Sequence, residues 1–176
     1  MIRKILILAL ALGFVSCIKQ EPNGANARLS YFDVKGYFNK EINRLQQTNP
    51  TVQKTVSVNG TAENRKLKIP DWQKELAVFT NADINKASWQ GEFKITASNQ
   101  LTIYSSANKK IPVKKILLTH QHNKLAKIVI IVESKNILFQ STDTLTYAPD
   151  RFYEIKKFQK IRFLKQKYYH ITGKIN

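Results

Sequence analysis

The second half of the chain is a succession of short runs in which apolar and polar residues alternate, joined by links too short to do more than reverse direction. Phe93, Ile95 and Ala97 alternate with polar residues, and a turn at Ser98-Asn99 leads to Leu101 and Ile103. Further runs cover Val113 to His120, Leu125 to Glu133, Ile137 to Tyr147, Tyr153 to Leu164 and Tyr168 to Ile175. The links are His122-Asn123, Ser134-Asn136, Pro149-Asp150 and Lys165-Lys167. Parallel neighbours need a crossover of about a dozen residues or more, so links of this length imply consecutive antiparallel pairing.

The first half supplies cover for such a sheet. Tyr31, Val34, Phe38, Ile42 and Leu45 recur at helical spacing after Ser30, a candidate N-cap, and Pro50 ends the run. Val52 to Val58 and Arg65 to Ile69 read as a hairpin around Asn59-Gly60. A second helical zone starts at Pro70, with Trp72, Leu76 and Phe79 on one face, and Asp83 to Trp89 adds another short turn. The expected fold is α+β: an antiparallel meander sheet, curved or a partial barrel, with the N-terminal helix and a short helical insertion packed on one face. Ile128-Val129-Ile130-Ile131-Val132 is apolar on both alternating faces and needs cover on both sides. Helices cover one. Closure of the sheet into a partial barrel is the expected cover for the other, with a bound apolar ligand or a partner as the alternatives.

The first residues place this domain at a membrane. Met1-Ile2-Arg3-Lys4 is a positive start, Ile5 to Val15 is apolar, and Ser16-Cys17 follows. The apolar stretch falls well short of the ~20 residues a spanning helix needs. Phe14-Val15-Ser16-Cys17 resembles the bacterial lipobox, although Phe14 stands where leucine is usual. That resemblance implies cleavage before Cys17 and acylation of its thiol. The expected layout is a signal peptide over 1–16, lipidated Cys17 and tether over 17–29, and one α+β domain over 30–176. Cys17 is the single cysteine, so no intramolecular disulfide or multi-cysteine metal site forms. Ile18 follows Cys17 where an aspartate would suggest inner-membrane retention, and Lys19-Gln20-Glu21 lacks the acidic cluster associated with surface export. The periplasmic face of the outer membrane is the expected location.

Charge narrows the partners. The chain carries 29 Lys+Arg against 12 Asp+Glu, a formal charge of +17, and the excess concentrates after Leu101. Outside the cytoplasm such a domain meets anionic lipid heads, acidic glycans and acidic protein surfaces rather than nucleic acid. Strand alternation sends Tyr153, Ile155, Ile161 and Phe163 one way. Lys156, Phe158, Lys160 and Arg162 go the other, joined by Tyr168, His170 and Lys174. Cations interleaved with aromatics suit an anionic amphipathic ligand, because lysine and arginine pair with anions while rings cover apolar or sugar surfaces. Lysines solvating an exposed face would leave the same pattern.

Other chemistry is thinly represented. His120 and His122 stand two apart on a strand, the weak beginning of a metal site with no cysteine or acidic partner nearby in sequence. No Gly-x-Ser-x-Gly elbow, His-Glu-x-x-His motif or phosphate loop occurs among six glycines. The expectation is a non-enzymatic protein without cofactor. The run Asp71-Trp72, Glu75-Leu76, Phe79, Ala82-Asp83-Ile84-Asn85-Lys86 and Trp89 resembles uncharacterised lipoproteins of Bacteroidota-type bacteria. The resemblance implies class and location, with no activity attached. Asp143-Thr144-Leu145 also resembles the short O-glycosylation motif of those bacteria. Two functions stay open: a binding lipoprotein for an anionic or amphipathic envelope lipid or glycan, and a structural or assembly subunit of an outer-membrane complex.

Overall fold

A computed structural model describes residues 30–176; the expected signal peptide, Cys17 and the expected tether lie outside the described residues. Helix α1 (Val34–Thr48) precedes the hairpin β1 (Thr51–Val58) and β2 (Thr61–Lys68). Two single-turn helices follow, α2 (Trp72–Glu75) and α3 (Ala77–Thr80), then a 3-10 turn at Ala87–Trp89. The remaining strands are β3 (Lys94–Ala97), β4 (Leu101–Ser105), β5 (Val113–Gln121), β6 (Lys124–Lys135), β7 (Phe139–Ala148), β8 (Phe152–Ile161) and β9 (Lys167–Ile175). They form one antiparallel sheet in the order β2-β1-β9-β8-β7-β6-β5-β4-β3.

From β3 to β9 the sheet is the expected meander. The hairpin is the exception, since β1 docks on β9, the last strand, with Val52 opposite Ile175 and Val58 opposite Tyr169. The sheet does not close, which corrects the partial-barrel expectation. Its edges are β2 and β3. Strand β2 carries Glu63, Asn64, Arg65 and Lys66 and is exposed apart from half-buried Leu67; β3 is short and exposed throughout. Neither edge offers an apolar face to draw it across the other, and charge on an edge strand discourages pairing.

Helix α1 starts at Asp33 rather than Ser30. The Asp33 carboxylate accepts the Gly36 N–H at 2.8 Å, satisfying one of the donors a helix start leaves open. A β-carbon at Gly36 would fall 2.0 Å from Asp33 Oδ2, so this cap requires glycine there. Asn49, in the left-handed region, closes the helix through its N–H to the Leu45 carbonyl. Tyr31 therefore lies ahead of the helix. Its N–H donates to Asn85 Oδ1 at 3.0 Å, and Asn85 Nδ2 donates to the Phe32 carbonyl at 3.0 Å. Lys86 stacks 4.2 Å above the Trp89 ring, while Ala82 and Ile84 are buried. The Ala82–Lys86 run is thus a clasp that holds the chain entering α1.

All three helices lie on one face of the sheet. Phe38 and Phe79 meet Tyr147 edge-on at 5.2 and 6.1 Å, and Trp72 meets Tyr153 at 6.2 Å. Directly opposed strand residues share a face, which gives the covered rows Leu118–Ile128–Tyr147–Tyr153–Gly173 and Ile116–Ile130–Leu145–Ile155–Ile171. Burial of each large side chain here stabilises the fold by about 1.5–3 kcal/mol as an upper estimate. Two tyrosines also tie helices to sheet. Tyr147 donates to Glu41 Oε2 at 2.5 Å and Tyr153 donates to Glu75 Oε1 at 2.5 Å. Arg44 completes the first tie by bridging Glu41 and Asp150 in the β7–β8 turn; Lys54 completes the second, 2.7 Å from Glu75.

A candidate binding groove

The second face of the sheet is read from the same register. Its rows run Ile103–Leu117–Val129–Thr146–Glu154–Thr172–Thr55, then Lys115–Ile131–Thr144–Lys156–His170–Ser57. Below these come Glu133–Thr142–Phe158–Tyr168 and Lys135–Gln140–Lys160. None of the three helices packs here. Val129 and Ile131 are half-buried by their cross-strand neighbours rather than by a second layer. Threonine dominates the middle of this face, where a β-branched side chain suits the pleat and its hydroxyl tolerates water.

Within this face a groove of about 400 Å³ is floored by Thr142 and Thr144 and walled by Lys156, Phe158, Tyr168 and His170. Phe158 and Tyr168 are directly opposed across β8 and β9, with ring centroids 4.9 Å apart and a tilt of 44°. Tyr168 is 53% exposed, so the pair forms an apolar wall open to a ligand. Lys156 Nζ and His170 Nε2 converge on Glu154 Oε1 at 3.1 and 2.8 Å. Burial opposes ionisation of Glu154, but the His170 and Lys156 hydrogen bonds outweigh it and hold the carboxyl below its ordinary range. One carboxylate therefore orients both the Lys156 ammonium and the His170 ring at the groove wall.

The residues expected from strand alternation fall into three places. Lys156, Phe158 and Tyr168 meet in the groove, with His170. Lys160 and Arg162 stand at the sheet end beside a second, smaller cavity of about 230 Å³ that Ile137 and Leu138 also line. Arg162 is not on the strand, because β8 ends at Ile161 and the Arg162 N–H pairs with the Leu138 carbonyl at 2.9 Å. Phe163 departs for the same reason: it is 90% exposed in the link, not packed in the core. Lys174 shares the outward face but pairs with Phe152, six residues along β9 from Tyr168, which is roughly 20 Å. It belongs to no cluster with the groove.

The histidine pair does not form on the strand. His122 takes φ 49° in the β5–β6 turn with Asn123 at 60°, so alternation stops at Gln121 and His122 leaves the strand that carries His120. Among the described residues no group of three His, Cys, Asp or Glu side chains is placed to hold a metal ion. Thr144 of the Asp143-Thr144-Leu145 motif lies mid-strand between Ile131 and Lys156, on the groove floor. Thr142 and Thr144 were not legible as partners of the basic strand. Their alternation is visible in sequence, but the β7–β8 register that sets them beside Lys156 is not. A further cavity of about 380 Å³ is lined by Lys35, Asn39, Ile42, Gln73, Asn81 and Asp83, without an aromatic wall.

No helix among the described residues is long and apolar enough to cross a membrane. Comparison with protein-family models, curated proteins and solved structures found no match.

Proposed function

We propose that the chain is a membrane-anchored envelope lipoprotein and that its domain is a non-enzymatic binding module for an anionic or amphipathic lipid or glycan. The groove walled by Phe158 and Tyr168 supports this reading most directly. It joins an accessible aromatic pair to the oriented Lys156 ammonium, so one ligand can place an apolar or sugar surface against the rings and an anion against Lys156. Acylation of Cys17 is the anchoring event, and periplasmic placement at the outer membrane follows from Ile18 and the tether sequence. Metabolic labelling with a palmitate analogue should mark the wild type and not Cys17→Ala.

The groove is tested with residues 18–176, which contain the hydrophobic core of the described residues. Calorimetric titration with dihexanoyl phosphatidylglycerol below its micelle concentration should show saturable binding that weakens as salt rises, because exposed charges are screened over roughly 10 Å at 0.1 M. Lys156→Gln/Phe158→Ala should abolish it, and Lys66→Gln/Lys68→Gln/Lys86→Gln should preserve it. Equal loss in both variants would reduce the effect to overall charge and end the proposal.

A structural or assembly role is the second reading, favoured by the half-buried apolar row Ile103–Leu117–Val129 on a face without a second layer. Crosslinking of the full chain in its envelope to one stoichiometric protein through this row would support it.

A further inference from the structure

The sheet end that carries the β6–β7 and β8–β9 links departs from the rest of the surface. Ile137, Leu138, Phe163 and Leu164 are 86, 59, 90 and 64% exposed, and all four lie in these two links. The links are joined to each other by the Arg162 N–H to the Leu138 carbonyl. Each is also internally held. Asn136 Oδ1 accepts the Leu138 and Phe139 N–H groups at 2.9 and 2.8 Å, and the Leu164 N–H donates to the Ile161 carbonyl at 3.1 Å. Phe163 adopts φ 68°, a left-handed conformation that a bulky side chain rarely takes. The local backbone is thus strained to project a large ring that gains no burial within the described residues.

Cations surround these tips. Lys135, Lys160, Arg162, Lys165 and Lys167 flank them, and no acidic residue occurs from Lys135 to Thr142 or after Glu154. We infer that the paired tips Ile137–Leu138 and Phe163–Leu164 insert into the interface of an anionic phospholipid bilayer. Apolar side chains at a protruding end enter the acyl boundary, while flanking lysine and arginine stems lie along it and carry their charges to lipid phosphates. A protein partner fits less well, because lysine is depleted from the cores of protein interfaces. Insertion in this orientation sets the Phe158–Tyr168 groove one row above Lys160 and the headgroups. The inference concerns a surface apart from the groove and shares with the proposed function only the membrane location.

The test uses the full chain reconstituted by detergent removal into phosphatidylcholine vesicles with or without phosphatidylglycerol, containing brominated lipid as a quencher. Phe163→Trp reports on the tips and His122→Trp on the opposite sheet end, each against the parent emission of Trp72 and Trp89. Blue-shifted, quenched emission from position 163 alone, strongest with phosphatidylglycerol, is the expected result. Replacing Lys160, Lys165 and Lys167 by Gln should lower engagement roughly fivefold per cation removed. Quenching at both ends or at neither overturns the inference, as does emission that follows protein density instead of brominated lipid, which would assign the tips to a second copy. Phe158→Ala in the Phe163→Trp chain should leave quenching unchanged, so failure of the groove and failure of the tips are read separately.

Discussion

The ring of Tyr153 occupies the space a side chain at Gly173 would need: a β-carbon there would fall 2.1 Å from Tyr153 Cε1 and 2.4 Å from its hydroxyl oxygen. The two residues are directly opposed across β8 and β9, so the missing side chain on one strand is filled by the aromatic ring of the next. That placement aims the hydroxyl at Glu75.

Gly173→Ala should accordingly be among the most destabilising single changes in the sheet. The φ of Gly173 is not in the left-handed region, so the cost is steric rather than conformational. Overpacking costs about 1–3 kcal/mol, and displacing Tyr153 also weakens a hydrogen bond to a charged group worth about 1.5–3 kcal/mol. Urea denaturation should show a loss of about 3 kcal/mol, and Gly173→Ala/Tyr153→Ala should lose less than the sum of its single variants.

Acid should weaken the tie between α1 and the sheet. Burial works against ionisation of Glu41, but hydrogen bonds from Arg44 and Tyr147 outweigh it and lower its pKa from 4.5. A carboxyl depressed in the folded state contributes stability in full above its unfolded value and loses it as pH falls through the folded one. Glu41→Gln should therefore be less stable than wild type at pH 7. The gap should narrow as pH drops below about 4.5, measured by thermal melts across that range.

Trp72 is fully buried with Nε1 unpaired among the described residues. A buried donor left unsatisfied costs about 1–3 kcal/mol, which Trp72→Phe would relieve while leaving a smaller cavity. The expected net loss is about 1 kcal/mol, well below that of Trp72→Ala, and guanidinium titration of the two variants measures the difference.

Phe163→Gly should separate stability from membrane contact. Glycine takes φ 68° without the penalty a phenylalanine bears, and the exposed ring contributes little packing. Stability should rise by about 1 kcal/mol in urea, while cosedimentation with phosphatidylglycerol vesicles should fall. A variant stabilised with unchanged cosedimentation would show the ring to be ornamental to lipid contact.

Strand existence and consecutive pairing were legible because they depend on neighbours in sequence. Alternation sets which residues share a face, and links such as His122-Asn123 force the chain back beside the strand it has left. The opposed placement of Lys156 and Phe158 against Tyr153 and Ile155 follows from the same period of two. Where the period failed, at Arg162, Phe163 and His122, the reason was local too: the strand had already turned. Sequence alternation does not mark the residue at which a backbone enters positive φ.

The sequence by itself determined an antiparallel meander with helical cover on one face, since those features follow from period, turn chemistry and link length. Only the tertiary structure decided that β1 docks on β9 and that the sheet stays open between β2 and β3. Each of these depends on a register between segments that share no short link. Closing such a contact is decided by the summed packing of whole faces against chain entropy, a quantity no local window contains.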